Sequence, residues 1–375
     1  MIGLRIDFGA MGAQQTGFST RVSAEEVIFR LPDGSAAIRS ARVWLDLGHH
    51  GEPPLMRRLP DGWELRVARP PVQRLEYLFA VEYADGGQAM ICDPAQQARA
   101  ATPFGDHSVI EFPGYRQPDW LTAPCAAGSA VSFTVRAPRL RPEVPVTLWS
   151  PDGAADSVPL PLLVLHDGPE FEQLASFTRF SAVLIGAGRL PPHRVALLGP
   201  GDRNRWYAAS PAYGHALASW VLPRLRAQTA VTGPVALAGA SLGALAALQA
   251  ATAAPAAFRA LFLQSGSFFR AATDQQESSF AWFSAVTSFV GRLSRAPAAR
   301  EVLDIGMTCG LAEENLANNR LMARALAGLG HRVELAEVRD AHTWAGWRDA
   351  LDPHLADLLA RVWGPGQPGS GPGGA

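Results

Sequence analysis

The sequence contains no lysine, and all 33 basic residues among its 375 are arginine. A chain without lysine cannot use a Schiff-base lysine, a phosphate-loop lysine or a serine-lysine dyad. An excess of charge is also missing, because 34 acidic residues leave a net charge of −1. This balance does not favour nucleic acid or an anionic membrane surface as a partner.

Cysteine is scarce, and Cys92, Cys125 and Cys309 are widely spaced with no C-x-x-C pair. An odd number of distant cysteines disfavours a zinc site or a disulfide framework and indicates reduced thiols in a cytoplasmic protein. The first twenty residues lack the apolar run of a signal peptide. Glycine, serine, glutamine and proline interrupt the uncharged stretch 235–258, so we expect a strand, a turn and a helix there rather than a membrane span.

The first third of the chain shows the alternation of half-buried antiparallel strands. Residues 40–47 and 75–83 alternate apolar and polar side chains, and the sequence Asp85-Gly86-Gly87 predicts a hairpin turn before a return strand at 88–91. Shorter segments with strand character are 27–31, 63–67 and 108–112. We therefore predict a small antiparallel β-sandwich over residues 1–115.

The remainder of the chain alternates short apolar runs with segments of helical spacing. The predicted strands are 161–165, 182–185, 194–198, 235–238, 260–264, 302–308 and 332–338, and the predicted helices are 212–226, 242–251, 280–293, 315–329 and 344–363. Continuous apolar strands that alternate with helices predict a mostly parallel sheet covered on both faces, an α/β domain over residues 131–363. Residues 116–130 are the predicted linker, and the Gly/Pro-rich residues 364–375 are a predicted disordered tail.

One motif in this second region predicts chemistry. Residues 239–243 form a G-x-S-x-G sequence between a predicted strand and a predicted helix. A nucleophile elbow requires that setting, because the sharp turn exposes the serine hydroxyl at the edge of the sheet. We predict Ser241 as a nucleophile and the N–H of Leu242 as one donor to the oxyanion. The alternative is a glycine-rich turn in which the serine has no catalytic role.

A serine nucleophile needs a base, and the base needs a carboxylate that orients it. In this type of fold the three residues follow in the order Ser, acid, His. His342 comes directly after the last predicted strand and is the predicted base. Glu313 and Glu314 follow the strand 302–308, and either could be the acid. Alternatively, both only favour the start of the next helix.

The loop after the first strand of the second region carries the remaining candidates. Pro169 has no N–H, so Gly168 or Glu170 is the predicted second oxyanion donor. His166 ends that strand, at the edge where binding sites open, and we predict that it shapes the substrate pocket. Aromatic side chains in the helix 280–293 could form the rest of the pocket, or they could be ordinary core residues; they are Phe280, Trp282, Phe283 and Phe289.

Taken together, these residues resemble the enterochelin esterase family, within the larger esterase group that holds mycolyltransferases and S-formylglutathione hydrolases. The similar segments are LLVLHDG at 162–168, GASLG at 239–243, QSGSF at 264–268 and HTWAGWR at 342–348. Gly62-Trp63, Tyr77, Asp93-Pro94 and Phe104 to Tyr115 resemble the immunoglobulin-like domain that precedes the hydrolase domain in these esterases. The sequence departs from the group at Asp340 and Ala341, where two glycines are common, and at Pro169.

The resemblance implies an α/β-hydrolase fold with Ser241 as nucleophile and His342 as base, and it leaves the acid open between Glu313 and Glu314. It implies a serine esterase that cleaves a small-molecule ester, with a ferric or iron-free siderophore as the family's substrate and with no metal or cofactor of its own. Two alternatives remain: an esterase or acyltransferase that acts on another acyl ester, and a non-catalytic binding protein on a hydrolase scaffold.

Overall fold

The computed structural model describes residues 18–47 and 51–364. These residues divide into two compact units. The first comprises the chain up to Arg116 together with Arg339–Thr343, and the second comprises Gln117–Val338 and the chain from Trp344 onward. The predicted tail, residues 364–375, lies outside the described residues except for Gly364.

The first unit consists of two antiparallel sheets. Its strands are β1 (Arg21–Val22), β2 (Glu26–Pro32), β3 (Ile38–Leu45), β4 (Arg57–Leu59), β5 (Gly62–Ala68), β6 (Arg74–Tyr83), β7 (Gln88–Ile91), β8 (Arg99–Thr102) and β9 (Gly105–Glu111). One sheet has the order β1-β2-β5-β4, and the other has the order β3-β6-β9-β8 with β7 paired to β6. Phe29 of β2 meets Tyr77 of β6 with ring centroids 4.9 Å apart. The inner faces of the two sheets therefore form the core of a β-sandwich, as predicted.

The second unit is built on an eight-stranded sheet with the order β10-β11-β13-β12-β14-β15-β16-β17. Its strands are β10 (Ser129–Val135), β11 (Val144–Ser150), β12 (Leu162–Leu165), β13 (Arg194–Leu198), β14 (Ala236–Ala240), β15 (Ala260–Gln264), β16 (Asp304–Gly310) and β17 (Arg332–Val338). β10 and β11 are antiparallel, and the strands from β12 to β17 are parallel. Every residue of β12, β14 and β15 is buried, which explains the continuous apolar runs in the sequence.

Helices cover both faces of this sheet. They are α1 (Gly168–Ala175), α2 (Phe177–Gly186), α3 (Arg203–Tyr207), α4 (Pro211–Ala216), α5 (Leu222–Gln228), α6 (Leu242–Ala253), α7 (Phe283–Leu293), α8 (Leu316–Gly328), α9 (Trp344–Asp349) and α10 (Ala356–Trp363). Leu245 of α6 packs in one core cluster, and Phe171 of α1 and Leu358 of α10 pack in the other. This two-faced arrangement is the predicted α/β-hydrolase fold. Across the described residues, no helix combines the length and the apolar composition needed to cross a membrane.

Several predicted elements are wrong in type or extent. Residues 182–185, predicted as a strand, lie in α2, where Phe177, Phe180 and Leu184 recur at helical spacing and are buried. The helix predicted at 344–363 is interrupted at Asp352, whose backbone is extended because the next residue is proline. β10 and β11 have no counterpart among the predicted strands.

The segment predicted to be a linker, residues 116–130, contains ordered structure of the second unit. The indole of Trp120 is buried and packs against Phe180 with ring centroids 5.5 Å apart. β10 begins at Ser129, within the same segment. A large aromatic side chain contributes most when it is buried, so this stretch is fixed against α2.

Arg194 closes the amino-terminal edge of the sheet. It is the first residue of β13 and is completely buried. Its Nε donates to Ser150 Oγ at 3.2 Å, and its Nη1 donates to the carbonyls of Val158 and Ala230 at 2.9 and 3.0 Å. Its Nη2 donates to the carbonyl of Ala155 at 2.8 Å. One guanidinium therefore binds the loops that precede β12 and β14 at the end of the sheet opposite Ser241.

Candidate active site

Ser241 lies in the sharp turn between β14 and α6. Its backbone has φ 56° and ψ −123°, a conformation that a non-glycine residue adopts only where its surroundings impose it. A Cβ on Gly239 would lie 2.6 Å from the carbonyl carbon of Gly243, and one on Gly243 would lie 3.2 Å from the Cβ of His166. The two motif glycines therefore allow the close approach of strand and helix that this turn requires.

The hydroxyl of Ser241 lies beside a second hydroxyl. Its Oγ is 3.2 Å from the Oγ of Ser267, in the QSGSF segment, residues 264–268, which follows β15. The backbones also pair, because Ser241 N donates to Gln264 O at 2.9 Å and Ser267 N donates to Ser241 O at 3.2 Å. Ser241 is half-buried and Ser267 is buried. The elbow and the QSGSF segment thus hold each other in register.

Glu313 anchors the QSGSF segment from the next strand. Its Oε1 accepts a hydrogen bond from Ser265 Oγ at 2.6 Å and another from Gly310 N at 2.7 Å. Ser265 Oγ also accepts a hydrogen bond from Trp347 Nε1 at 3.0 Å. Glu313 is buried, whereas Glu314, the other candidate acid, is exposed. The two hydrogen bonds to Oε1 therefore fix the orientation of the buried Glu313 carboxylate.

Two asparagines of the α8 region complete this anchorage. Asn319 Oδ1 accepts from Gly266 N, and Asn319 Nδ2 donates to Gly266 O, both at 3.0 Å. Asn315 Nδ2 donates to Ser265 O at 2.9 Å. Ser265 N still donates to Thr308 O of β16 at 2.7 Å, but the positive φ of Ser265 turns the chain away from the sheet. The two amides satisfy the backbone groups of Ser265 and Gly266 at this turn.

The loop between β12 and α1 carries the second predicted oxyanion donor. Gly168 is the first residue of α1, and a Cβ there would lie 2.4 Å from the Cα of Leu197, so only glycine fits. The preceding Asp167 has φ 52°, and its carboxylate accepts two hydrogen bonds from Arg203, at 2.8 Å from Nε and 2.7 Å from Nη2. A bidentate pair of this kind fixes the loop.

A depression of about 320 Å³ opens beside this loop. Its lining is apolar with a few hydroxyl groups, and it includes Thr147, Pro169 and Leu197. Pro169, which lines the depression, directly follows the predicted oxyanion donor Gly168 in the sequence.

His166, predicted to shape the substrate pocket, is completely buried. Its Nδ1 lies 3.0 Å from the carbonyl of Ala238, and its ring packs edge-on against Tyr207 and Tyr213. Burial lowers the pKa of His166 to about 4, so the ring is neutral near pH 7. The structure therefore places His166 in the interior and not on an open surface. There it packs against Gly243 of the elbow.

The four predicted aromatic residues differ in burial: Phe289 belongs to the core and Phe280 packs against it. Trp282 is exposed, Phe280 and Phe283 are half-buried, and Phe289 is buried. α7 begins at Phe283, later than predicted, so Phe280 and Trp282 precede the helix. The ring of Phe269 lies 6.5 Å from that of Phe280 and 6.3 Å from that of Phe283. Phe269 directly follows the QSGSF segment, which joins this aromatic surface to the surroundings of Ser241.

His342 lies between β17 and α9 in the sequence and is half-buried. Two residues before it, Asp340 Oδ1 accepts a hydrogen bond from Ala341 N at 2.8 Å and one from Thr343 Oγ1 at 3.4 Å. The side chain of Asp340 thus stabilises the turn in which the histidine sits. These hydrogen bonds give a physical role to Asp340, one of the two residues that stand where the esterase group commonly has two glycines.

Three side chains of the first unit have the spacing of a metal-ligand group. The ligand atoms of Asp46, Glu76 and His107 all lie within 4.8 Å of one another. Glu76 Oε1 accepts from Arg74 Nη1 at 2.6 Å, and Glu76 Oε2 lies 3.2 Å from His107 Nδ1. Burial would raise the pKa of Glu76, but the hydrogen bond of His107 and the charge of Arg74 together lower it. Because an arginine already supplies the positive charge, we interpret this group as a buried ion-pair network.

Comparison with known proteins points in one direction. A model of the Esterase family matches residues 137–358. The enterobactin esterase FES from Shigella flexneri is 21% identical with a TM-score of 0.70, and the match covers 92% of this chain and 95% of that chain. The ferric enterobactin esterase from Salmonella typhimurium is 22% identical with a TM-score of 0.71, covering 90% and 93%. A ferulic acid esterase is 18% identical with a TM-score of 0.54, covering 63% and 99%. No curated protein sequence matches the chain.

Proposed function

Because the chain belongs to the Esterase family and is a carboxylic ester hydrolase, we propose that it cleaves its substrate through Ser241. The observation that carries this proposal is the backbone of Ser241, which has a positive φ at the carboxyl end of β14 and directly precedes α6. This is the conformation of a nucleophile elbow, in which the turn raises the serine hydroxyl above the edge of the sheet.

The proposed oxyanion donors are the N–H groups of Leu242 and Gly168. Each is the first residue of a helix, α6 and α1, and the first N–H groups of a helix have no partner within it. The positive end of the helix dipole adds to their attraction for negative charge. The two helices start from β14 and β12, which are neighbours in the sheet. Both donors therefore belong to the same edge of the sheet as Ser241.

We assign the base to His342 and the acid to Glu313, with Glu314 as the alternative. β16 and β17 are parallel to β14 through β15, so the loops that follow them lie at the same edge as the elbow. We prefer Glu313 because two hydrogen bonds to Oε1 already fix the orientation of its buried carboxylate. We assign its Oε2 to the imidazole of His342. A water-exposed carboxylate such as that of Glu314 would orient an imidazole less firmly.

In the proposed reaction, Ser241 Oγ attacks the ester carbonyl carbon while His342 removes the hydroxyl proton. The carbonyl oxygen becomes an oxyanion that the N–H groups of Leu242 and Gly168 stabilise. His342 then returns the proton to the departing alcohol. Water, activated by the same histidine, hydrolyses the acyl-enzyme and regenerates Ser241.

The proposed substrate is a siderophore ester with aromatic groups, either ferric or iron-free, and any iron enters with the substrate. The surface formed by exposed Trp282 and half-buried Phe269, Phe280 and Phe283 supports this, because the accessible part of an aromatic side chain can stack with a flat ring. The solved relative from Shigella flexneri was crystallised in the presence of enterobactin and of 2,3-dihydroxy-N-benzoyl-glycine. We also propose the cytoplasmic location that the sequence predicts.

A substrate panel tests this proposal. Ferric and iron-free catecholate trilactones are compared with p-nitrophenyl acetate and butyrate, and a fluorophosphonate probe reports whether Ser241 is reactive. We expect labelling that Ser241→Ala abolishes, and faster hydrolysis of the trilactones than of the simple esters. A protein that the probe does not label would contradict the mechanism. Labelling with hydrolysis of the simple esters alone would contradict the substrate.

A second candidate is an esterase or acyltransferase that acts on an aliphatic acyl ester. The depression beside Pro169 favours it, because its lining is mostly apolar without aromatic surface apart from Phe133. Hydrolysis of butyrate and longer esters that exceeds hydrolysis of the trilactones would support this candidate. Adding an alcohol acceptor and measuring transfer products would separate an acyltransferase from a hydrolase.

A further inference from the structure

We propose that Ser267 is a second catalytic hydroxyl, which donates a hydrogen bond to Ser241 Oγ and stabilises the negative charge that develops on this oxygen. The inference rests on the proposed role of Ser241 as nucleophile. The observation behind it is the 3.2 Å distance between the two hydroxyl oxygens, on side chains that come from different strands of the sheet.

The position of Ser267 is fixed on several sides. Its side chain is only 4% exposed, and its N–H donates to the carbonyl of Ser241 at 3.2 Å. The preceding Gly266 is held through both its N–H and its carbonyl by the amide of Asn319. A Cβ on Gly266 would lie 2.2 Å from the ring of Phe268, so that ring closes over the segment. These contacts therefore fix the backbone of Ser267 beside Ser241.

The chemistry of the base decides the direction of this hydrogen bond. A serine hydroxyl has one proton to donate and two lone pairs that accept. If Ser241 donated to Ser267, its proton would point away from the base. If Ser267 donates instead, the proton of Ser241 stays available to His342, and Oγ keeps a donor when that proton leaves.

The same bond acts in both halves of the reaction. During attack, Ser241 Oγ gains negative charge as its proton moves to His342, and a hydrogen bond to a charged acceptor is stronger than one to a neutral acceptor. During deacylation, Ser241 Oγ is the leaving group and gains negative charge again. No proton is lost from Ser267 at either stage, so the effect is a stabilisation of charge and not an additional proton transfer.

Three variants separate the hydroxyl from its bulk. Ser267→Ala removes the donor, and Ser267→Thr and Ser267→Val have nearly equal volumes but only threonine keeps the hydroxyl. We expect Ser267→Ala to lower kcat roughly 10- to 100-fold, the range for one hydrogen bond to a charged group, with little change in KM. Ser267→Thr should retain several-fold more activity than Ser267→Val. Ser294→Ala serves as a control with unchanged kcat. Ser294 directly follows α7, and its hydroxyl donates to Val290 O.

A second readout does not depend on the natural substrate. The rate at which a fluorophosphonate labels Ser241 should fall by a similar factor in Ser267→Ala, because the probe also requires charge to develop on Oγ. Thermal unfolding of each variant shows whether it is folded, and the comparison of Ala with wild type suffices if Thr or Val does not fold.

Two outcomes would overturn the inference: equal kcat and labelling rate in wild type and Ser267→Ala, or equal losses in folded Thr and Val variants, which would show that bulk matters and the hydroxyl does not. Failure of the proposed function has a different signature. In that case wild type itself would not be labelled, or Ser241→Ala would keep its activity, whatever Ser267 did.

Discussion

Two serines that follow neighbouring strands both have a positive φ, but they differ in burial and in hydrogen-bond partners. Ser241 follows β14 with φ 56°, and Ser265 follows β15 with φ 49°. Ser241 is half-buried and its hydroxyl meets another hydroxyl. Ser265 is only 1% exposed, and its hydroxyl donates to the carboxylate of Glu313 while it accepts from the indole of Trp347.

The comparison shows that an unusual backbone does not by itself make a nucleophile. Both serines pay the conformational cost of a positive φ. In Ser265 the hydroxyl proton and a lone pair are committed to fixed, buried partners, and the residue serves to shape the segment that carries Ser267. Ser241, the proposed nucleophile, is half-buried, and its hydroxyl lies beside that of Ser267. Solvent exposure and hydrogen-bond partners, rather than backbone strain, therefore distinguish the proposed nucleophile Ser241 from the structural Ser265.

The largest expected effect follows from removing the proposed nucleophile. Ser241→Ala should lower kcat for ester hydrolysis about a million-fold, as loss of a triad nucleophile does elsewhere, while the unfolding temperature stays close to that of wild type. Steady-state hydrolysis of a p-nitrophenyl ester and a thermal melt measure the two quantities. More than a few per cent of residual activity would mean that the nucleophile is another residue.

The next effect concerns the acid. Glu313→Gln should lower kcat by roughly a hundred-fold to ten-thousand-fold, less than His342→Ala, because an orienting carboxylate contributes less than the base itself. Glu314→Gln, one residue further along and exposed, is the matched control and should change kcat little. If the two glutamine variants behave in the opposite way, Glu314 is the acid. If both keep full turnover, the acid assignment is wrong although the esterase stands.

Ser265→Ala tests the structural half of the comparison directly. It removes the acceptor of the hydrogen bond from Trp347 Nε1 and a donor to buried Glu313, so we expect a loss of about 1–3 kcal/mol in the free energy of unfolding. Labelling of Ser241 by a fluorophosphonate should persist, at a reduced rate. Urea denaturation and labelling kinetics give the two answers. Complete loss of labelling in a folded variant would show that Ser265 takes a direct part in the chemistry.

The smallest effect sharpens the comparison through pH. His166 packs against the elbow, and its burial lowers its pKa to about 4. Burial also lowers the pKa of His193, which is distant from the elbow in sequence, to about 4. The unfolded chain binds these protons near pH 6.5 and the folded chain only near pH 4, so stability falls as the pH drops through that window. Each histidine can account for up to about 3 kcal/mol.

His193→Gln removes one of these two titrating groups and leaves His166, which packs against the elbow, unchanged. We expect its free energy of unfolding to fall less steeply than that of wild type between pH 6.5 and 4.5, whatever its stability at pH 7.5. Urea denaturation at three pH values measures the slope. An unchanged slope would mean that the folded protein already accepts a proton on His193 in this range.

The sequence predicts those parts of the fold that depend on local patterns. The elbow was recognisable because strand, glycine turn and helix follow one another within residues 235–251. The predicted strand at 182–185 was wrong because four apolar residues fit a strand or one turn of a helix equally well. The contacts that hold the QSGSF segment could not be predicted, since Asn319 and Trp347 are distant in sequence and approach Gly266 and Ser265 only in the folded chain. The QSGSF segment was recognised through family resemblance and not through any chemical signal of its own.

Arg194 has a consequence for how the second unit comes together. Its cation has exchanged bulk water for three carbonyls and a hydroxyl, a solvation shell made of loop backbone. That shell exists only after residues 155–158 and Ala230 have arrived, so β13 cannot bury its first residue at low cost until both loops are in place. Folding of this edge should therefore be cooperative. Lysine could not substitute, because a single ammonium cannot reach partners spread around a planar fork.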